Sequence, residues 1–189
     1  MYQYVSLANY VPLTPFRILD TRLAGSGGAL GPGEIRTLQI TGVGSTPIPD
    51  SATSVTLNVT EVNGTAASLL TLYPVSPTRP SASNLNFAAH TVIANLVTVT
   101  LNDGELNIYN AVGSVNVVVD VEGYFTTQPA TNLQGLFHPM TPVRVCDTRS
   151  PASCDGHAHV GPLQSIVVTV ASAGGIPSDG TAEAAVVNL

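Results

Sequence analysis

Val115-Asn116-Val117-Val118-Val119-Asp120-Val121 decides the fold class. Five valines in seven residues favour extended backbone, because a branched Cβ packs well on a pleated surface and crowds a helix. The nearly continuous apolar character predicts a strand buried on both faces near the centre of its module. Outward from it, related runs bounded by Gly, Pro, Asn and Asp recur: Ile35 to Thr41, Ser54 to Val62, Ser68 to Tyr73, Ile93 to Leu101 and Glu105 to Tyr109. Asn63-Gly64 and Asn102-Asp103-Gly104 supply turn signals between them. Short, regularly spaced strands with such turns predict an all-β protein, an antiparallel β-sandwich or barrel.

Composition agrees and removes several function classes. Charged residues are 10% of the 189, and all six basic residues are Arg. Long amphipathic helices, which need Glu, Lys and Arg on their wet face, are therefore not expected. A formal charge of −6 with no basic cluster offers nothing to a phosphate backbone, so nucleic acid is excluded as a partner. No run is apolar and long enough to predict a transmembrane segment. Met1-Tyr2-Gln3-Tyr4 has neither the basic flank nor the apolar core of a signal peptide, so an exported location implies a leader absent from this chain.

The chain repeats itself. Pro12-Leu-Thr-Pro15-Phe-Arg17-Ile-Leu-Asp20-Thr21-Arg22 is echoed by Pro139-Met-Thr-Pro142-Val-Arg144-Val-Cys-Asp147-Thr148-Arg149, with seven of eleven positions identical at an offset of 127. The echo continues as Gly31-Pro32 with Gly161-Pro162, Ile48-Pro49 with Ile176-Pro177, and Leu57-Asn58 with Val187-Asn188. The offset drifts to between 128 and 130, as small loop insertions produce. The resulting organisation is a lead-in over 1–11, a complete β module over 12–125, a linker over 126–137 and an incomplete second β module over 138–189. The second copy stops after the strand equivalent to Ser54–Asn58, which leaves an apolar strand without its partners. Three outcomes follow: a fragment of a longer array, a different packing of the halves, or strands exchanged between chains in a homo-oligomer.

The set Pro-x-Arg17-Ile-Leu-Asp20-Thr-Arg22, Leu57-Asn58-Val59-Thr60, Tyr73-Pro74, Arg79-Pro80-x-x-Ser83-Asn84-Leu85-Asn86, Ala94-Asn95 and Val119-Asp120-Val121-x-Gly123-Tyr124-Phe125 resembles a β repeat of secreted and cell-surface proteins, chiefly actinobacterial. The resemblance covers essentially the whole chain. It implies an accessory module, found in tandem or attached to cell-wall hydrolases, peptidases or glycosidases, and it places a Cys pair in the loop after Asp-Thr-Arg.

Cys146 and Cys154 flank a short loop that a disulfide can close, which predicts a local staple and an oxidising compartment. Two buried free thiols are the competing arrangement. Asp20 and Arg22, with Arg17 and Asp120, and likewise Asp147 with Arg144 and Arg149, are expected to form structural ion-pair clusters. The duplicated Asp-Thr also invites comparison with aspartic proteases. That chemistry needs two close acids sharing a proton, whereas an Arg two residues on favours ionising both.

Other candidate sites are weaker. Asp155, His157 and His159 stand in a Gly-bounded loop where histidines at i and i+2 can face one metal, with a polar surface loop as the alternative. Asn84, Asn86 and Asn95 can offer amides to a sugar, against the competing role of bonding their own backbone. A glycosidase pair drawn from Asp20, Glu61, Asp120 and Glu122 depends on separations in space. His90 has no Gly-x-Ser-x-Gly elbow to serve. No cofactor is expected. The expected function is a non-catalytic structural or adhesive module of an exported, extracellular or cell-surface bacterial protein that binds cell-wall or extracellular polysaccharide; the competing class is a hydrolase with carboxylates in an inter-module cleft.

Overall fold

The computed structural model describes residues 8–44, 46–127, 143–182, 184–185 and 187. The predicted Pro139 and Pro142 of the second echo, most of the predicted linker, and Asn188 lie outside the described residues. The chain divides into two compact units, Met1–Leu136 and Phe137–Leu189.

The described residues of unit 1 hold eight strands: β1 (Ala8–Asp20), β2 (Ile35–Gln39), β3 (Ala52–Val62), β4 (Ser68–Pro74), β5 (Leu85–Phe87), β6 (Val92–Thr100), β7 (Glu105–Asn110) and β8 (Asn116–Thr127). They form two four-stranded sheets in the orders β1-β8-β3-β6 and β2-β7-β4-β5, with every pairing antiparallel. This nesting, first strand against eighth, second against seventh, third against sixth and fourth against fifth, is the strand order of a jelly roll. The sandwich rather than the barrel is therefore the fold, and no helix among the described residues is long and apolar enough to cross a membrane.

The valine run that predicts the central strand is the core of β8, which lies between β1 and β3. Val117, Val119 and Val121 point between the sheets at 0% exposure, and Val118 on the opposite side retains only 4%. Leu57, Val59, Leu70, Leu106 and Ile108 complete the buried layer. Each such side chain contributes on the order of 1.5–3 kcal/mol by leaving water.

Three expectations need correction. β1 begins at Ala8 and β8 ends at Thr127, so the ends of the predicted lead-in and linker are part of the sheet. Pro12 and Pro15 obscure β1 as a strand, and the structure resolves the conflict with register shifts between Pro12 and Phe16 and between Arg17 and Leu19. The Asn residues of Ser83–Asn86 suit a turn, but Leu85 and Asn86 begin β5. Asn102-Asp103-Gly104 does turn the chain, with φ of 51° and 77° at its last two residues. It carries the chain from β6 in one sheet to β7 in the other rather than joining paired strands.

Unit 2 has no strand among its described residues, only short 3-10 turns at Pro151–Ser153 and Ala173–Gly175. Cys146 and Cys154 form a disulfide, so free thiols are eliminated.

Candidate functional site

Arg17 pairs across the sheet with Asp120, and Asp20 lies opposite Val118, so all three stand on the outer face of the β1-β8-β3-β6 sheet. Arg17 donates to both Asp120 oxygens, from Nε at 2.9 Å and from Nη2 at 3.2 Å. Its Nη1 reaches Asp20 Oδ2 at 3.3 Å. Arg22 grips the same carboxylate through Nε at 2.8 Å, Nη2 at 2.6 Å and its backbone N–H at 3.1 Å. The Asp20 side chain is only 4% exposed under two half-exposed guanidiniums. Hydrogen bonds from Arg22 hold its carboxyl well below the ordinary carboxylate range. An acid so held keeps its charge and has no proton to donate at neutral pH.

Thr21 explains the middle residue of the motif. Its backbone N–H donates to Val117 O at 3.0 Å, its hydroxyl accepts from Val117 N–H at 2.8 Å and donates to Asn116 Oδ1 at 3.0 Å. Asp-Thr-Arg is thus a clasp that closes the end of β1 onto the start of β8.

In unit 2, Asp147 accepts from Arg149 Nε at 2.9 Å, Arg149 Nη2 at 2.7 Å, the Arg149 backbone N–H at 3.1 Å and Arg144 Nη1 at 2.8 Å. The local arrangement matches that around Asp20, and Arg149 likewise holds the Asp147 carboxyl well below the usual range. Asp147 is more open, with 18% of its side chain exposed.

Glu61 and Asp120 do not assemble a glycosidase pair. Glu61 lies on β3 opposite Val117 and points into the sandwich at 0% exposure, whereas Asp120 points outward from β8. Glu61 Oε1 accepts from the Thr91 hydroxyl at 2.7 Å, and Oε2 has no partner among the described residues. Strands alternate their side chains between faces, so the core side of β3 and the outer side of β8 cannot flank one bond.

The amide candidates are tied to the fold. Asn84 Oδ1 accepts from Leu72 N–H at 2.7 Å, Asn95 Nδ2 donates to Asn84 O at 2.7 Å, and Asn86 Oδ1 accepts from Ser83 Oγ at 3.1 Å. Asp155 Oδ2 accepts from Thr169 N–H at 2.8 Å. Among the described residues no cluster of three His, Cys, Asp or Glu side chains has the geometry of a metal site, so Asp155, His157 and His159 are not brought together as one.

Two structural centres escape the sequence reading. Asn110, fully buried, donates through Nδ2 to Leu30 O, Gly31 O and Gly113 O and accepts from Ser68 Oγ at 2.9 Å, fastening two loops and the start of β4 to β7. Arg36 binds Glu34 at 2.6 Å and Gly28 O at 2.6 Å. A lone Asn and a lone Arg carry no spacing signal that could reveal such roles.

An open cleft of about 870 Å³ lies at one end of the sandwich, lined by Gln39, Thr41, Asp50, Thr53, Thr100 and Asp103 among others. It lies where β2 and β6 end and β3 begins, so rigid strand ends carry loops that present hydroxyls, an amide and two exposed carboxylates. Among the described residues no aromatic side chain lines it. Tyr73 is buried, and the Arg79 guanidinium covers the Tyr109 ring at 4.1 Å.

No protein-family model and no curated protein matches the sequence. Among solved structures, a chain of the Tobacco streak virus coat protein dimer is similar, with a TM-score of 0.31 and 10% identity, over 70% of this chain and 94% of that one. The jelly-roll assignment rests on the strand order itself.

Proposed function

We propose that this chain is a non-catalytic structural and adhesive module of an exported bacterial surface protein, and that it engages cell-wall or extracellular polysaccharide through the cleft at the end of the sandwich. The observation that carries the reading is that cleft: a wide, open surface mounted on strand ends, where hydroxyls, an amide and two exposed carboxylates stand beside apolar side chains. The disulfide supports an oxidising, extracytoplasmic setting. The resemblance to the actinobacterial surface repeat points the same way. Asp20 and Asp147, the most conspicuous acids of the sequence, are closed by guanidinium groups and serve the fold.

Affinity electrophoresis through gels containing purified cell-wall and extracellular polysaccharides tests this reading. Retardation by at least one polymer is expected, and it disappears in the double variant Asp50→Ala, Asp103→Asn. Both side chains are exposed, and Asn tolerates the left-handed backbone of position 103, so the melting temperature stays unchanged. Free migration in every gel rejects the adhesive reading. Turnover of esterase, peptidase or glycosidase substrates replaces it with a hydrolase.

A further inference from the structure

We infer that the cleft at the end of the sandwich selects polysaccharides whose sugars carry free ammonium groups, as in a de-N-acetylated amino sugar polymer. The inference rests on the adhesive reading and narrows it by ligand class. The first observation is the balance of hydrogen-bonding groups. Among the described lining residues Gln39 alone has side-chain N–H groups, and its Nε2 is already committed to Thr41 O at 2.9 Å and Gly104 O at 3.4 Å. The acceptors are not committed. The Asp50 and Asp103 carboxylates line the cleft with no Arg and no hydrogen-bond donor on them among the described residues.

Thr41 is a second, independent observation. The residue lines the cleft at only 4% exposure, yet its hydroxyl makes no hydrogen bond among the described residues. It lies against Gly104, where an added Cβ would collide with Thr41 Oγ1. A nearly buried hydroxyl without a partner costs stability. A donor entering the cleft would satisfy it.

The third observation is where the cations are. All six basic residues are Arg, and each is engaged away from the cleft. Arg17, Arg22, Arg144 and Arg149 hold aspartates, Arg36 holds Glu34, and Arg79 covers the Tyr109 ring. A wall polymer bearing phosphate or carboxylate therefore meets only like charge in the cleft. An ammonium group has three donors and no acceptor, which matches a lining of unfilled acceptors. N-acetylation removes that charge and leaves one N–H. Leu101 adds an apolar patch against which a sugar ring can lie. A metal ion is a poorer match, since the cleft brings together two carboxylates and no third His, Cys, Asp or Glu ligand among the described residues.

The test titrates the full chain with a soluble glucosamine tetramer and with its N-acetylated counterpart, by calorimetry in mildly acidic, low-salt buffer. The glucosamine tetramer is expected to bind about tenfold tighter, and the preference shrinks as salt rises. The double variant Asp50→Ala, Asp103→Asn abolishes that preference. The pair Glu122→Gln, Asp179→Asn shifts the net charge equally outside the cleft and retains it. Thr41→Val weakens binding of the glucosamine tetramer about threefold without lowering the melting temperature, because no hydrogen bond of the free protein is lost.

An equal loss in the Glu122 and Asp179 pair overturns the inference, as do a lysine tetramer that binds as tightly and a requirement for calcium. Equal or tighter binding of the N-acetylated tetramer also overturns it and leaves the adhesive reading standing. If neither tetramer binds, the inference is lost, and the adhesive reading falls with it only when every gel also shows free migration.

Discussion

Around Asp20 and around Asp147 the chain draws the same local figure, yet one sits in a sheet and the other does not. Both carboxylates take three hydrogen bonds from the Arg two residues on and one from the Arg three residues before. Only the first has an edge strand and an Asp120 to lie against, and burial follows: 4% exposure against 18%. The difference teaches that the motif is a clasp rather than a nucleus. It shapes the turn by itself, and its carboxylate is covered more fully where β8 lies against it.

The sharpest way to break this comparison is to remove core from unit 1. Ile108→Ala empties a site at 0% exposure and should cost about 2–5 kcal/mol in denaturant unfolding. Val167→Ala, at 81% exposure, should change stability by no more than about 0.5 kcal/mol. Comparable losses would mean that unit 2 has a packed core of its own.

Next in size is the disulfide. Unit 2 has a Cys where the first copy has Leu19, a residue that packs against the core. The staple does locally what packing does there. Replacing Cys146 and Cys154 together by Ser removes about 2–3 kcal/mol of loop constraint. Faster amide exchange is expected over 144–157, with the melting temperature of unit 1 unchanged.

Gly123→Ala sharpens the role of the Gly-Tyr-Phe ending. A Cβ at 123 would run into the Tyr10 ring and lie 2.6 Å from Val11 O. The loss should be about 1–3 kcal/mol, read by thermal unfolding.

The smallest effects come from the clasps. Asp20→Asn should lower the melting temperature of unit 1 by a few degrees, and Asp147→Asn should leave it unaltered. The pH dependence has a definite sign. A carboxyl whose folded pKa is depressed contributes fully above its unfolded pKa, and that contribution is lost as pH falls through the folded value. The gap between wild type and Asp20→Asn should stay constant from pH 7 down to about 4 and close only in stronger acid. A gap that closes near neutrality would show that the Arg22 hydrogen bonds do not persist in solution.

Much of the sandwich was legible because its strands carry branched runs between turn residues. The ranges for β3, β4, β6 and β7 differ from the expected ones by no more than two residues at either end. β1 and β5 were not legible. Two prolines disguise the first, and the second is three residues long beside an Asn-rich turn. The Arg17–Asp20–Arg22 group could be read from spacing, but its tie to Asp120 spans 103 positions and needs the sheet. The cleft had no sequence signature, since its lining comes from the ends of three strands and a turn far apart in the chain.

By itself the sequence determined everything that closes within a few residues: the extended runs, the Gly-Pro turns, the Asp-Arg figure and the Cys pair. The Gly-Pro turn, the Asp-Arg figure and the Cys pair form in unit 2 although its described residues contain no strand. Tertiary structure alone decided which strands meet, which way Glu61 faces and where the cleft opens. Those outcomes depend on ladders between segments roughly a hundred positions apart, and such contacts repay the entropy of loop closure only when the whole set of strands is present.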